Sequence, residues 1–158
     1  MTVTVDATTG GTGALSQSLG TGMYRLYKTF DLAALKASLN DDTDFTTGDI
    51  MQAFSIPANT LILTAHCKVH VAEGAACTMD LGITGDDADG FLNDTSLNST
   101  STSVSTGHAL GYGTDNMLGK LVTTADTVDI YFNSADSGVA VFTLSLLCVD
   151  LAVHDYVA

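Results

Sequence analysis

Two histidines flank a lysine on one face of the most regular alternating segment of the chain. His66, Lys68 and His70 are separated by single residues, a pattern that could bring two imidazole ligands to one metal ion. A strand rises about 3.3 Å per residue, so the Cα atoms of His66 and His70 are about 13 Å apart. Two ligands that each lie about 2 Å from a zinc ion cannot span that gap. The pattern therefore predicts a polar strand face that pairs with acids such as Asp80, and no metal ligand is assigned.

A second candidate is the acidic segment 85–90, which holds three aspartates between its glycines. Closely spaced carboxylates are ligands that calcium prefers, but an EF-hand loop needs an acid at its first position and glutamate at its twelfth. With Gly90 at the sixth position, Gly85 and Ser96 occupy the first and the twelfth, so the segment does not match. The sequence predicts a loop here and leaves open a calcium site of looser geometry over residues 85–94.

The cysteines and the two other histidines do not form a catalytic pattern. Cys67, Cys77 and Cys148 fall on predicted core faces, where thiols pack as small apolar groups. His108 and His154 lie in polar or terminal segments. We find no nucleophile elbow, no phosphate-binding glycine loop and no paired glutamates. The sequence predicts no catalytic residue, no cofactor and no enzymatic activity.

Composition favours strands joined by acidic loops. The 158 residues hold 18 acidic side chains against five Lys and Arg, and Glu73 is the only glutamate. Aspartate competes with the backbone for hydrogen bonds and favours turns, whereas glutamate suits helices. The length fits one domain with its own core. Because the net charge of −13 repels phosphates and anionic lipids, neither nucleic acid nor a membrane is expected as a partner.

Targeting signals and disulfides are not expected. The first ten residues lack the basic and apolar regions of a signal peptide, and no apolar run reaches the roughly 18 residues of a transmembrane helix. Three scattered cysteines do not form a disulfide framework, which favours folding in a reducing cytoplasm.

The clearest structural signal is the alternation of Thr60–Val71, which is typical of a half-buried antiparallel strand. The residues expected to face the core are Leu61, Leu63, Ala65, Cys67, Val69 and Val71. Those expected to face outward are Ile62, Thr64, His66, Lys68 and His70.

Further strands are predicted at 23–30, 77–83, 120–123, 127–132 and 139–151, and at 50–56, where a short apolar run ends at Pro57. In the strand 127–132, Asp129 and Tyr131 are expected to point outward. Residues 31–39 form either a helical turn capped by Asp31 or an irregular strand. Residues 93–107 form a loop, with at most a weak edge strand near Val104, and 107–118 are irregular or at an edge.

The last predicted strand has Phe142, Leu144, Leu146 and Cys148 on its core face. Its opposite face changes from Thr143 and Ser145 to Leu147, Val149 and Leu151, which predicts that an arm or another subunit covers its end. About eight short strands with Gly and Asp turns predict an all-β fold, a single antiparallel β-sandwich. A jelly roll is favoured, and an immunoglobulin-like sandwich is the alternative.

Residues 1–22 differ in composition from the rest, being rich in Thr, Gly and Ser with one charge. They are either a frayed terminus or an extended N-terminal arm, in which Val3 and Val5 form a short strand on a neighbouring molecule. The expected organisation is an arm over 1–22 and a sandwich domain over 23–158.

Three segments in order resemble the small cement, or decoration, proteins of tailed-phage capsids, in particular those of short-tailed cyanophages and marine phages. They are GDIMQAFSIPANTLIL from Gly48, MDLGITGDDADGFLND from Met79, and TADTVDIYF followed by VFTLSLLCVDL. The shared features are the Gly-Asp and Ile-Pro-Ala pair, the Asp-Gly-Phe loop and the closing Val-Asp-Leu. The resemblance covers about two thirds of the chain, from Gly48 onward, and none of its motifs is catalytic.

The resemblance implies a β-sandwich that trimerises on the outside of a phage head and clamps adjacent capsomers. Its expected partners are the major capsid protein and two further copies of itself. The expected location is the capsid exterior, after assembly in the host cytoplasm. Contacts with the shell or between subunits are predicted at three sets of residues: the arm, the segment 23–48 where the few basic side chains gather, and the end of the last strand. The residues are Val3, Val5, Arg25, Lys28, Lys36, Leu147 and Val149.

Two other functions are open at this point. A tail or surface adhesin would bind host glycans through exposed aromatic rings, and the sequence offers Tyr112 and Tyr131 but no tryptophan. The other is a β-sandwich that is a structural part of a phage tail.

Overall fold

A computed structural model of the chain describes residues 4–6, 17–18, 22–39, 44–100, 102–104, 119–134 and 137–152. Within these ranges it contains eleven strands and one helix. The elements are β1 Thr4–Asp6, β2 Gln17–Ser18, β3 Met23–Asp31, α1 Leu32–Leu39, β4 Ile50–Ile56, β5 Thr60–Val71, β6 Thr78–Ile83, β7 Asp87–Ser96, β8 Thr102–Val104, β9 Lys120–Val122, β10 Asp126–Ser134 and β11 Val141–Asp150. None of the helical residues described forms a helix long and apolar enough to cross a membrane.

The strands form two sheets. The first has the order β1-β4-β10-β6-β7, and the second has the order β2-β3-β11-β5-β8, with β9 also paired to β5. All pairs are antiparallel except β1 with β4. Buried side chains from both sheets make one core, in which the rings of Phe30 and Phe54 meet edge to face at 6.5 Å. The predicted all-β sandwich is confirmed.

The inward and outward assignment along β5 is correct in its middle and wrong at both ends. Ile62 was expected to face outward but is fully buried, and Val71 was expected to face the core but is 46% exposed. The pairing of β5 with β11 shifts register near each of these residues. Each shift is a β-bulge, which inserts an unpaired residue and so reverses the alternation beyond it.

The acidic segment expected to be a loop is largely a strand. Only residues 84–86 form the turn, and β7 begins at Asp87 and continues through Gly90 to Ser96. Strand β7 also includes residues 93–96, the beginning of the segment 93–107 that was expected to be a loop. The predicted weak edge strand near Val104 is present as β8, which pairs with β5.

The segment after β3 is a helix, the first of the two predicted alternatives. The side chain of Asp31 accepts a hydrogen bond from the backbone N–H of Ala34 at 3.0 Å. That bond satisfies one of the N–H groups left without a partner at a helix start. Asp31 therefore ends β3 and caps α1.

The first 22 residues contribute two short strands to the sandwich itself. Val5 lies in β1, which pairs in parallel with β4 of the same chain, where its partner is Met51. Gln17–Ser18 pairs with β3. The short strand expected around Val5 thus forms on the chain's own first sheet, while Val3 and the segment 107–118 lie outside the described residues.

Candidate interaction face

The two sheets divide the charge of the protein between them. The strands of the first sheet carry seven aspartates and no Lys, Arg or His. The strands of the second sheet carry four of the five Lys and Arg residues and two histidines, with aspartate only at the last positions of β3 and β11. A chain with a net charge of −13 therefore presents one sheet that is nearly free of carboxylates.

The outward positions of the second sheet form cross-strand rows. Three rows are Thr29–Thr143–Lys68–Thr102, Tyr27–Ser145–His66 and Arg25–Leu147–Thr64, and we call them the basic face. A fourth, Met23–Val149–Leu61–Leu121, consists only of apolar residues, and we call it the apolar row. Eight side chains of the basic face line an open groove of about 500 Å³.

Hydrogen bonds across the strands position the polar side chains of the basic face. The Arg25 Nη2 donates to Ser145 Oγ at 3.2 Å, and the guanidinium lies 5.5 Å from the ring centroid of Tyr27. Thr143 Oγ1 lies 2.7 Å from Thr29 Oγ1 and 2.9 Å from His70 Nε2. His70 therefore contacts a hydroxyl of the neighbouring strand, and the expected pairing with Asp80 does not occur because Asp80 lies in the other sheet.

Carboxylates and amides cover the outer face of the first sheet. The backbone N–H of Asp94 donates to Asp80 Oδ1 at 2.7 Å, and Asn133 Nδ2 donates to Asp94 Oδ1 at 3.4 Å. Nearby on the edge strand, the Asp89 carboxylate accepts a hydrogen bond from Asn93. We call this surface, with Asp87, the acidic face.

Asp129 also points to this side, as predicted, but only 1% of it is exposed. The Thr84 hydroxyl donates to Asp129 Oδ2, and the Tyr131 hydroxyl donates to Thr84 Oγ1 at 2.6 Å. A phenol is protonated at neutral pH and can donate this bond, and burial raises the pKa of Tyr131 further. The chain of three side chains holds the turn after β6 against β10.

We expect Asp87→Asn to stabilise the protein at pH 7 by at most about 0.5 kcal/mol, because solvent screens the repulsion between the carboxylates of Asp87 and Asp89, which lie two residues apart on one strand. A hydrogen bond with Asp89, then partial burial and the charge of Asp89, raise the pKa of Asp87. A carboxyl with a raised pKa stabilises the fold below its unfolded pKa of about 3.9 and loses that contribution as the pH rises through the folded pKa. Asparagine keeps a neutral partner for Asp89 at every pH, so its advantage should vanish near pH 3.

Thermal unfolding of both proteins from pH 3 to pH 8 measures this difference. The control is Asp126→Asn, because Asp126 is exposed in the same sheet and accepts from the adjacent Thr127 N–H at 2.8 Å. Equal pH profiles for Asp87→Asn and wild type would contradict the assignment.

The described residues contain no group of three His, Cys, Asp or Glu side chains that could hold a metal ion. The aspartates of the former candidate loop have protein partners instead, since Asp86 forms an ion pair with Lys120. All three cysteines are buried as free thiols. Burial raises the pKa of Cys67 and of Cys148 to about 12, so both stay protonated.

The structure brings three of the predicted contact residues together. Arg25 and Leu147 are paired in one row, and Val149 lies in the adjacent apolar row. Lys28 points to the other side of β3, where it is 2% exposed and its Nζ lies 5.2 Å from the ring centroid of Phe30. Lys36 forms an ion pair with Asp44. The structure therefore does not place Lys28 on the surface beside Arg25, because alternation along β3 turns its side chain inward.

The sequence singled out His66 and Lys68 only as a possible metal site and then as a polar strand face, and it did not single out the threonines of the basic face. The alternation of β5 assigned Lys68 and His66 correctly to an outward face. Nothing in the local pattern indicated that β11 and β3 would place Ser145, Thr143 and Arg25 beside them.

Three solved structures have chains with a similar fold. A chain of the cyanophage Pam1 capsid asymmetric unit is 15% identical with a TM-score of 0.57, over 89% of this protein and 94% of that chain. A chain of the Ralstonia phage GP4 capsid is 15% identical with a TM-score of 0.57, over 94% and 98%. A chain of the acidic stable capsid structure of Helicobacter pylori bacteriophage KHP30 is 13% identical with a TM-score of 0.56, over 85% and 93%.

At these identities the likeness establishes the fold. The class that the fold defines is the β-sandwich found in chains of these phage capsid structures, and this protein shares it over nearly its whole length. No protein-family model and no curated protein matches the sequence.

Proposed function

We propose that this protein is a structural virion protein that binds the outside of a phage capsid as a cement, or decoration, protein. The observation that carries the proposal is the shared fold with three capsid chains, each covered almost end to end. Its partners are the major capsid protein and further copies of itself, and its role involves no catalysis. Assembly takes place in the host cytoplasm and the final location is the capsid exterior.

We infer that the sandwich is a jelly roll. The eight main strand positions are β3, β4, β5, β6, β7, β8 with β9, β10 and β11, counted one to eight. One sheet then has the order 1-8-3-6 and the other 2-7-4-5. This pairing of the first and last strands supports two Greek keys. An immunoglobulin-like sandwich would instead group strands one, two, five and four in one sheet.

A cement function is consistent with the physical character of the surface. A clamp on a shell makes modest contacts that symmetry repeats many times, so it needs a rigid body and no reactive group. The acidic face disfavours association with free nucleic acid in the host, because like charges repel. A homotrimer fits a local threefold position of a shell, where each copy makes the same contact.

We expect the purified protein to be a trimer and to co-sediment with expanded capsids that lack it, but not with unexpanded shells. Light scattering after size-exclusion chromatography measures the first, and sedimentation with both kinds of particle measures the second. A monomer that ignores expanded capsids would overturn the proposal. Density for this chain on the tail in cryo-electron microscopy of the virion would favour the tail-structural alternative.

The glycan-binding alternative has less support from the described residues. Tyr131 lies on the acidic face with its hydroxyl bonded to Thr84, and burial raises its pKa. A half-buried, hydrogen-bonded ring of this kind is poorly placed for stacking on a sugar. Tyr112 is outside the described residues.

A further inference from the structure

We propose that the basic face and the apolar row form the docking site for an extended segment of the capsid shell that carries carboxylates next to apolar side chains. This inference rests on the proposed cement function and adds to it which face meets the shell and what chemistry it recognises.

The first argument is the distribution of charge. Arg25, Lys68 and His70 are exposed, and His66 is half-buried, all on the outer side of the second sheet. The opposite sheet carries only acidic charge in its strands. Of the two described sheet faces, a carboxylate-bearing partner is therefore repelled by the acidic face and attracted to this one.

The second argument is the chemistry of the groove. The groove contains the charged side chains of Arg25 and Lys68. Beside them are the hydroxyl groups of Thr64, Thr102, Thr143 and Ser145. The hydrogen bond of Arg25 to Ser145 uses one of the five N–H donors of a guanidinium, which suits a second, forked contact with a carboxylate. The groove is lined by three alternate residues of β5 and three of β11, so an extended peptide lying along these two strands would contact all of them.

The third argument is the apolar row. Met23, Val149, Leu61 and Leu121 cross four strands in register, directly beside the row of Arg25 and Leu147. Leu121 is 39% exposed, and Leu151, just after β11, is 42% exposed. Apolar side chains aligned on an outer sheet face are typical of an interaction surface. The change from polar to apolar residues at the end of β11 predicted that a partner covers this part of the strand. Val149, one of these apolar residues, belongs to the apolar row.

A second copy of this protein is the less suitable occupant. Its complementary surface is the acidic face, which belongs to the opposite sheet of the sandwich. Head-to-tail contacts between identical molecules close into a ring only if the rotation between copies closes, and contacts between the two opposite sides of one sandwich favour an open filament instead. A segment of the capsid shell does not lead to such repeated association, because it carries no basic face to which a further copy could bind.

The test measures binding to expanded capsids that lack the protein, by co-sedimentation over a range of salt concentrations. Arg25→Gln with Lys68→Gln is expected to weaken binding by about tenfold or more, the lower range for losing buried charge pairs at an interface. Lys120→Gln is the control. Lys120 precedes Leu121 in β9, so its side chain points to the opposite side of that strand, where it forms an ion pair with Asp86. Its loss should therefore leave binding at the basic face unchanged. Leu121→Ser should also weaken binding, whereas Val139→Ser, at a residue that is 55% exposed in the turn before β11, should not.

The outcomes separate the two proposals. If wild type does not bind capsids, both fall. If wild type binds and the Arg25 and Lys68 variant binds equally well, the docking site falls and the cement function stands. If the variants change only the oligomeric state, or only binding to sulfated glycan beads, the face serves another partner and the inference is overturned. All substitutions are at exposed or half-exposed side chains, and thermal unfolding of each variant confirms that it is folded.

Discussion

Replacing Glu73 with alanine is expected to lower the free energy of unfolding by about 3 kcal/mol, the upper range for hydrogen bonds to a charged group. The Glu73 carboxylate accepts from four groups of the turn that leads into β11. They are Ser137 Oγ at 3.0 Å and the backbone N–H groups of Gly138 at 2.9 Å, Val139 at 3.0 Å and Ala140 at 2.7 Å. Without the carboxylate, these N–H groups lose a charged acceptor in a partly buried site, and each unsatisfied donor adds to the cost.

The turn that Glu73 holds joins several parts of the fold. Phe45 and Ser137 exchange two backbone hydrogen bonds, and the N–H of Leu32 donates to the carbonyl of Ala140 at 3.1 Å. The N–H of Glu73 itself donates to the carbonyl of Leu97 at 2.9 Å. Loss of the carboxylate therefore loosens the start of α1, the end of β7 and the entry to β11 together.

Two further substitutions separate charge from reach. Glu73→Gln keeps the length of the side chain but replaces one accepting oxygen with a donor, so it should lose most of the stability that alanine loses. Glu73→Asp keeps the charge but is one methylene shorter and should be intermediate. Urea unfolding at pH 7 measures all three, with Asp86→Ala as the control, because an exposed ion pair such as Asp86 with Lys120 contributes about 0.2–1 kcal/mol. A loss below about 1 kcal/mol for Glu73→Ala would contradict this assignment.

The role of Glu73 explains a feature of the composition that the sequence could not interpret. Glu73 is the only glutamate among 18 acidic residues. Aspartate serves in the tight turns, where its short side chain bonds nearby backbone groups, as Asp31 does at the start of α1. Glu73 has to reach a turn more than 60 residues away in sequence, and that partner is defined only by the tertiary fold.

The alternation of apolar and polar residues predicted correctly which side chains are buried where a strand has no bulge. The core face of β11 was predicted correctly, with Phe142, Leu144, Leu146 and Cys148 all fully buried. It failed for Ile62 and Val71 because a bulge depends on how β5 pairs with β11, and the sequence of β5 alone does not contain that register. A single inserted residue is enough to turn the rest of a strand over.

The candidate site was predictable only in part for a similar reason. Arg25, Leu147 and Val149 were selected for separate reasons, two of them from the change in character along one strand. Their proximity follows from the pairing of β3 with β11, two strands more than 100 residues apart in sequence. The division of charge between the sheets also depends on strand order, since β5 and β6 are neighbours in sequence but belong to different sheets. Net charge alone therefore concealed a basic face.

The second large effect is expected for Gly82→Ala, which should destabilise the protein by about 3 kcal/mol, the upper range for overpacking a close-packed site. A methyl group at position 82 would overlap with the backbone carbonyl of Asp87 and the backbone of Ala88. Both are main-chain atoms of β7, so neither can rotate away as a flexible side chain would. The substitution should separate the start of β7 from β6 and disturb the acidic face there.

Gly85→Ala is the informative control for this substitution. Gly85 has a φ of +84° and open space around the added methyl group, so its cost is conformational and about 1 kcal/mol. Urea unfolding should therefore rank Gly82→Ala well below Gly85→Ala in stability. The reverse order would mean that β7 does not pass closely over Gly82. In that case residues 87–90 would behave as the open loop that their composition predicts, and the pairing of Ile83 with Asp87 would be wrong.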